Sequence, residues 1–412
     1  MVKLQASSPF QALKFRDFRL FWFGSLVSMM GNQMQTVAVA WQVYEITHSA
    51  AALGLIGIVQ FLPILLFSLI GGVAADKLDR KKLLIFSQIV LALSAGSLAL
   101  ITHLNLIQSV WIYLVLFANA TINAFSQPAR QSVLPNLVPK EYFMNAVGLN
   151  TLQRQIGVII GPAVAGFMIA GLGVQSIYLF NAVSFVFLLL TIIPIHVPAH
   201  IEATKASFSL KSIMEGIHFV KKSPILYSTM ILDFLATFFG TANALMPIFA
   251  KDILHVGAQG LGLLYAAPSI GGILAGLFFS SVHTLKHQGM IIISAVMLYG
   301  LATIGFGLSK SLMLSLFFLS LTGAGDMGST ILRNTIRQMI TPDHLRGRMV
   351  SVNMLFIQGG PRLGDAEAGF VAALIGAPAA VVVGGIGTIA MTALVAIFIP
   401  KLRKYQNHTT NA

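Results

Sequence analysis

Long apolar stretches alternate with short polar connections along nearly the whole chain. A membrane-spanning helix needs about 20 mainly apolar residues, because each residue advances it by about 1.5 Å through a hydrocarbon core about 30 Å thick. On that scale the pattern predicts twelve spanning helices. The predicted spans are Leu20–Tyr44, Ala50–Ala75, Leu83–Thr102, Val110–Phe125, Ala146–Ala170, Ile177–Pro194, Ile225–Phe249, Leu261–Ser281, Met290–Leu308, Leu312–Ile331, Met349–Ile375 and Pro378–Ile399.

The longest connection divides these spans into two sets of six. It predicts an N-terminal six-helix half over residues 1–195, a cytoplasmic linker over 196–223 and a C-terminal six-helix half over 224–412. In the linker, apolar residues recur at helical spacing and predict an amphipathic helix on the inner membrane surface. These residues are Leu210, Ile213, Met214, Ile217 and Val220. Two such halves are typical of a transporter built from repeats, with its substrate site between them near the midplane.

The composition agrees with a membrane protein. Only 9% of the 412 residues are charged and the mean hydropathy is +0.83, whereas an average soluble domain is about 25% charged. A soluble enzyme is therefore excluded. The chain has no cysteine, which excludes disulfides and thiolate metal sites. It has no P-loop and no GxSxG nucleophile elbow, and we predict no enzyme activity, no metal site and no cofactor other than a proton gradient.

The net charge of +13 is explained by where the cations lie. With the N-terminus inside, 22 of the 26 Lys and Arg residues fall in inner segments, and positive charge collects in short cytoplasmic loops. Both termini are therefore predicted to be cytoplasmic. The basic excess indicates orientation in the membrane, and we predict no nucleic-acid partner.

The loop between the second and third spans contains a charged motif. Residues 72–82 read GVAADKLDRKK, which resembles the loop signature of the major facilitator superfamily, G-x-x-x-D-(R/K)-x-(G/D)-R-(K/R). The resemblance implies a conformational latch formed by Gly72, Asp76, Arg80 and Lys81. A solvated basic loop is the alternative interpretation. The corresponding loop of the second half has no acid, so any latch is asymmetric and depends on Asp76.

The fifth span contains Gly157, Gly161, Pro162 and Gly166. Small residues four apart let helix backbones approach closely, and a mid-helix proline introduces a bend. Ordinary tight packing is therefore one interpretation. The motif is also similar to G-x-x-x-G-P-x-x-G-G of the antiporter branch of the superfamily, differing at Ala165, and this similarity favours export.

Three further segments narrow the resemblance. The segments FRDFRLFW at residues 15–22, QPARQ at 127–131 and HLRGR at 344–348 are similar to those of the enterobactin-exporter-like group, also called transmembrane secretion effectors. The resemblance implies the major facilitator fold and a monomeric exporter in the inner membrane of a bacterium. It further implies a proton-driven protein that carries catechol siderophores or other amphipathic, drug-like compounds.

Ionisable residues inside predicted spans are candidates for proton coupling, because each costs at least about 2.5–3.5 kcal/mol at the bilayer centre unless it faces a cavity or a partner. Asp233 and Asp326 are interpreted as unpaired and rank first, followed by Glu367. Asp365 is expected to pair with Arg362, three residues away on one helical face. For each acid, a structural ion pair between helices is the alternative.

The remaining polar residues of the spans are candidates for the substrate cavity. The candidates are Arg154, Arg362, Asn32, Gln33, Asn119 and Asn123. The arginines could instead pair with acids, and the amides could bond neighbouring helices. We also expect Gly359-Gly360-Pro361 to unwind its helix locally.

The sequence thus predicts an all-α membrane protein that exports a siderophore or similar amphipathic small molecule against protons by alternating access, in contact with membrane lipids. A broad multidrug antiporter and a flippase for a lipid-like substrate would use the same machinery. A non-transporting receptor or scaffold would gain nothing from the costly acids in the membrane.

Overall fold

A computed structural model describes residues 10–196, 210–282, 285–342 and 345–406. Within these ranges, the side chains of residues 68–77, 210–213, 216 and 351 are left undescribed. The described part of the chain is almost entirely helical and contains no β-strand. The predicted all-α class is confirmed.

Six long helices form the first part of the chain. They are α1 (Arg16–Thr47), α2 (Ala50–Lys77), α3 (Arg80–His103), α4 (Ser109–Val133), α5 (Phe143–Leu172) and α6 (Val174–Ile192). Polar residues or glycines lie at the starts and ends of several of these helices. Asp79, for example, is the N-cap of α3, and its carboxylate accepts the backbone N–H groups of Lys81 and Lys82, which that helix start would otherwise leave without partners.

The second part begins with a short helix and continues through eight further helices. The helices are α7 (Leu210–Lys222), α8 (Pro224–Gly240), α9 (Met246–Ile248), α10 (Gly257–Ser281), α11 (Gln288–Leu308), α12 (Leu312–Ile340), α13 (Arg346–Ile375), α14 (Ala377–Phe398) and α15 (Pro400–Arg403).

Among the described residues, ten helical segments are long and apolar enough to cross a membrane. The prediction of twelve spans also counts α1 and α13, which have 32 and 30 residues. Both helices are long enough but more polar, because α1 contains several amides and α13 contains Arg362, Asp365 and Glu367. The chain is therefore a multi-pass membrane protein, and the full count of twelve and the cytoplasmic termini stay predictions.

Contacts between residues divide the chain into two compact units. The described residues of the first unit are 10–42 and 62–196. In it, α5 packs closely on α1, because a Cβ added to Gly157 or Gly161 would lie 2.6 Å from Met29 or 2.8 Å from Gln33. The Trp22 indole donates a 2.9 Å hydrogen bond to the Leu149 carbonyl across the same contact. The Gly-Pro motif thus permits the close packing predicted for it.

The described residues of the second unit are 43–61 and those from 210 onward. Residues 43–61 form the tip of the α1–α2 hairpin, which packs on α13: a Cβ added to Gly54 would lie 2.9 Å from the Ala366 carbonyl oxygen. Near the same tip, Lys251 and Glu45 form a 2.6 Å ion pair. The division into halves at residues 195 and 224 stays a prediction. In the structure, the hairpin tip at residues 43–61 belongs to the same compact unit as the helices of the second part.

The seventh predicted span, Ile225–Phe249, is not one continuous helix. Its helix α8 ends at Gly240, and Thr241 then takes an extended conformation before a short turn and α9. Gly359-Gly360-Pro361 instead remains helical within α13, so the unwinding expected there is wrong. These glycines permit close packing: a Cβ on Gly360 would collide with Thr237 on α8.

The linker helix α7 is amphipathic as predicted, but it has a protein partner. Val220 is buried with Met230, Met349 and Val352, and Glu215 forms an ion pair with Arg348 at the start of α13. Met214 remains 64% exposed. The helix therefore packs against α8 and α13 in addition to any contact with the membrane surface. Residues 197–209 of the predicted linker lie outside the described residues.

The contact between α5 and α1 can be tested with one added methyl group. We expect Gly161→Ala to lower the free energy of unfolding by about 1–3 kcal/mol, because overpacking a tight contact costs about that much. Thermal unfolding in detergent measures the effect. Gly148→Ala, in the same helix, is the control because its added Cβ has no heavy atom within 4 Å. Equal unfolding temperatures for the two variants would contradict the assigned contact.

Candidate functional site

A network of two carboxylates and two arginines joins α8 to α12. Arg333 lies between two acids, with its Nη2 atom 2.9 Å from Asp233 Oδ1 and 3.6 Å from Asp326 Oδ1. Arg337 Nη2 lies 3.4 Å from the second Asp233 oxygen. We call these four residues the carboxylate–arginine network. Its formal charge is zero when both acids are ionised.

The spacing of the residues along α12 explains how three of them meet. Asp326, Arg333 and Arg337 are seven and four residues apart, so they lie on one face of the helix. Asp233 faces them from α8. Arg337 is held further by the Thr229 carbonyl at 2.8 Å and the Thr229 hydroxyl at 3.2 Å. The result is a polar seam inside an otherwise apolar pair of helices.

Two predictions about these residues are wrong. Asp233 and Asp326 were expected to be unpaired, whereas both pair with Arg333. With the tenth span predicted to end at Ile331, Arg333 and Arg337 count among the cytoplasmic cations of the turn before the eleventh span. The helix continues to Ile340, and both arginine side chains are only 2% exposed. The spacing from Asp326 was the one sequence signal that could have revealed them.

The two acids differ sharply in exposure. The Asp326 side chain is 52% exposed, whereas that of Asp233 is 11% exposed. Thr330 lies between Arg333 and Asp326. Its hydroxyl accepts a 2.8 Å hydrogen bond from Arg333 and donates to Asp326 Oδ1 at 3.4 Å. Arg333 Nε is buried without a hydrogen-bond partner among the described residues. Arg333 thus connects an accessible carboxylate to a buried one and is itself incompletely satisfied.

A cavity of about 190 Å³ opens beside Asp326. Its wall comes from the broken segment after α8 and from α10, α11, α12 and α13 of the second unit. Several of the lining residues carry hydroxyl groups, among them Thr241, Tyr299, Thr303 and Thr322. This volume is large enough for several water molecules.

The acids of α13 lie apart from the network. Asp365 accepts a 3.0 Å hydrogen bond from the Ala244 N–H. Ala244 lies in the short turn that follows the end of α8. Among the described residues, no ion pair within 4 Å joins Asp365 to Arg362, so the direct pair expected between them is not made. Glu367 is half-buried. Asp365 therefore holds the backbone of this turn in place, while the coupling role of each acid stays a prediction.

The polar candidates of the first half fall into two groups. Asn119 accepts a 2.7 Å hydrogen bond from Ser94, and Asn32 donates to the Ser28 carbonyl one turn earlier, so both amides have structural partners. Gln33 lies against Gly161. Asn123 and Arg154 are exposed and remain available to a ligand.

Comparison with known proteins identifies the family. A family model described as transmembrane secretion effector matches residues 7–412. The chain belongs to this family of the major facilitator superfamily. The multidrug efflux pump Tap of Mycolicibacterium fortuitum is 28% identical over 93% of this chain and 96% of its own length. The enterobactin exporter EntS of Citrobacter koseri is 26% identical over 94% of this chain and 93% of its own.

The fold of this secretion effector also matches solved transporters. A bacterial homologue of the human lysosomal transporter Spinster, crystallised in an inward-facing, occupied conformation, superposes with a TM-score of 0.73. The match covers 96% of this chain and 99% of that one, at 15% identity. Fold and relatives are those of membrane efflux transporters rather than enzymes.

The latch motif of this secretion effector is described in part. Gly72 and Asp76 lie outside the described side chains, although their backbone belongs to α2. Lys81 Nζ donates to the carbonyls of Ile193 and Ile195 at 2.7 and 2.9 Å, just after α6 ends. Arg80 is half-buried. Lys81 thus satisfies a helix C-terminus, and the role of Asp76 as a latch stays a prediction.

The carboxylate–arginine network can be tested through stability. We expect Arg333→Gln to lower the free energy of unfolding by about 3–5 kcal/mol, because removing one partner leaves a buried charge uncompensated. Thermal unfolding in detergent is the measurement. Lys310→Gln, at an exposed position, should change stability by no more than about 0.5 kcal/mol.

A double variant separates this effect from a simple loss of packing. Adding Asp233→Asn to Arg333→Gln removes the partner acid together with the arginine, so the two losses should be clearly less than additive. Strict additivity would show that the two side chains do not interact.

Proposed function

We propose that this transporter exports an amphipathic small molecule, a siderophore or a similar compound, in exchange for protons by alternating access. The observation that supports proton coupling is the sharing of Arg333 between an exposed and a buried carboxylate. A coupling acid must reach the aqueous phase in order to exchange its proton, and its charge must matter to the rest of the protein. The exposure of the Asp326 side chain and its contact with Arg333 support this role.

The coupling step follows from the charge balance of the network. When Asp326 is ionised, it competes with Asp233 for Arg333. When Asp326 takes up a proton, the competition ends and Arg333 belongs to Asp233 alone. Because Asp233 lies on α8 and Asp326 on α12, a proton at Asp326 changes the force between these two helices. The hydroxyl groups that line the cavity beside Asp326 support a path for the proton at this point.

The likeness to an enterobactin exporter supports a siderophore as the substrate. The likeness to the multidrug pump Tap supports the second candidate, a broad multidrug/proton antiporter. Both candidates use the same coupling site and differ in the range of molecules carried. The bacterial sources of these relatives support a location in the inner membrane of a bacterium.

Reconstitution in vesicles tests the coupling role of Asp326. We expect Asp326→Asn to abolish substrate accumulation driven by a pH gradient while leaving gradient-independent exchange of the same substrate in place. The physical reason is that an amide can still sit beside Arg333 but cannot carry a proton. Dyes and catechol siderophores would be offered in turn, with proton movement recorded alongside.

Glu141→Gln is the control, because Glu141 is an exposed acid in the connection before α5. Its transport should equal that of the wild type. Normal gradient-driven accumulation by Asp326→Asn at several pH values would remove the proposed coupling role. Loss of both accumulation and exchange would point to a structural defect, which the unfolding temperature of the same sample would reveal.

A further inference from the structure

We infer that Arg130 and Arg154, in the first unit, form a binding site for an anionic oxygen group on the transported molecule. We call these two residues the arginine pair. The inference rests on the proposed function for the identity of the ligand as a transported solute. It adds a charge class to the substrate, namely a carboxylate, sulfonate, phosphate or phenolate carried beside an aromatic or apolar body.

The arginine pair lies on two different helices, α4 and α5. Arg130 belongs to the last turns of α4, where the sequence-based count had placed it in a loop, and Arg154 lies about a third of the way along α5. The Arg130 guanidinium sits over the Phe21 ring of α1, 5.7 Å from its centroid. Phe21, Ala129 and Leu149 belong to one buried apolar cluster, so the segments of α4 and α5 that carry the two arginines pack against the same part of α1. Arg154 also acts electrostatically on Arg130.

The first unit provides no anion for this pair among the side chains that the structure describes. Its described acids are Asp17, Asp79 and Glu141, and none forms an ion pair within 4 Å with either arginine. Asp79 caps α3, and Asp17 accepts the His196 N–H. Two arginines on membrane-spanning helices repel each other and are costly without a counter-charge. A ligand anion between them would relieve both effects.

The surroundings of the pair suit a solute. The Arg130 guanidinium lies 5.7 Å from the centroid of the Phe21 ring, and its planar set of N–H donors matches a bidentate oxyanion. Asn123 and Gln127 lie seven and three residues before Arg130, and both are exposed. Asn150 and Thr151, also exposed, precede Arg154 by four and three residues. The arginine pair therefore sits on faces of α4 and α5 that carry further hydrogen-bonding groups.

Binding measured without any gradient tests the inference. Purified protein in a zwitterionic detergent would be titrated with benzenesulfonate and with benzenesulfonamide, which have the same ring but differ in charge. We expect the anion to bind the wild type more tightly by about tenfold or more, since charge-assisted contacts are roughly twice as strong as neutral ones. Arg154→Gln should remove this difference, and Arg154→Lys should keep part of it because lysine retains the charge.

Lys140→Gln is the matched control, because Lys140 is an exposed cation in the connection between the same two helices. It should bind the anion as the wild type does. Equal binding of the two probes to the wild type, or an unchanged preference in Arg154→Gln, would overturn the inference. Arg130→Gln gives an independent second test, with unfolding temperature as the check that each variant is folded.

A lipid headgroup carries the same chemistry, so a second arm uses vesicles of phosphatidylglycerol and of phosphatidylcholine. If the Arg154 variants lose affinity for phosphatidylglycerol while soluble benzenesulfonate never binds, the site belongs to lipid and the assignment to a solute is overturned. This binding test is independent of the test of proton coupling, because the Asp326→Asn variant should bind benzenesulfonate as the wild type does. Conversely, proton-driven efflux that persists without any anion preference would reject the arginine pair alone.

Discussion

A guanidinium group keeps its proton at any pH that a cell meets, so burying an arginine is costly unless an anion lies beside it. Arg333 and Arg337 place that requirement in the second unit, and Asp233 and Asp326 meet it. The contact between α8 and α12 is therefore set by charge as well as by apolar packing. Because Arg333 contacts both acids, a change in the ionisation of one acid changes the interaction of Arg333 with the other. The second unit depends on this network both for its stability and for its capacity to respond to a proton.

The sequence predicted the helical architecture well, because hydrophobic length is a direct physical requirement of the bilayer. Glycine spacing also indicated correctly that α5 packs closely on another helix. The same reasoning failed at α12, because Arg333 and Arg337 lower local hydropathy in the same way that a cytoplasmic loop does. Hydropathy cannot distinguish a charge in water from one that a distant carboxylate neutralises. Only the position of Asp233 on another helix decides between the two.

The break after α8 and the continuous helix α13 show a second limit of sequence reasoning. Gly359-Gly360-Pro361 has the composition of an unwound segment, yet its glycines permit contact with Thr237 and the helix persists. The segment that does leave helical geometry begins at Thr241, and its Ala244 N–H is satisfied by Asp365. Glycine permits both bending and close packing, and only the neighbouring surface determines which one occurs. The carboxylate of Asp365 acts here as a replacement for a lost helical hydrogen bond.

The hairpin tip at residues 43–61 has a consequence for biogenesis. These residues leave the ribosome early, but the surface on which they pack belongs to α13, which is made some 300 residues later. During synthesis, the small-residue face of α2 around Gly54 and Gly57 therefore lacks its contact with α13 until α13 has been made. A face lined by glycine tolerates this delay, since it exposes little that is polar and fits many transient neighbours.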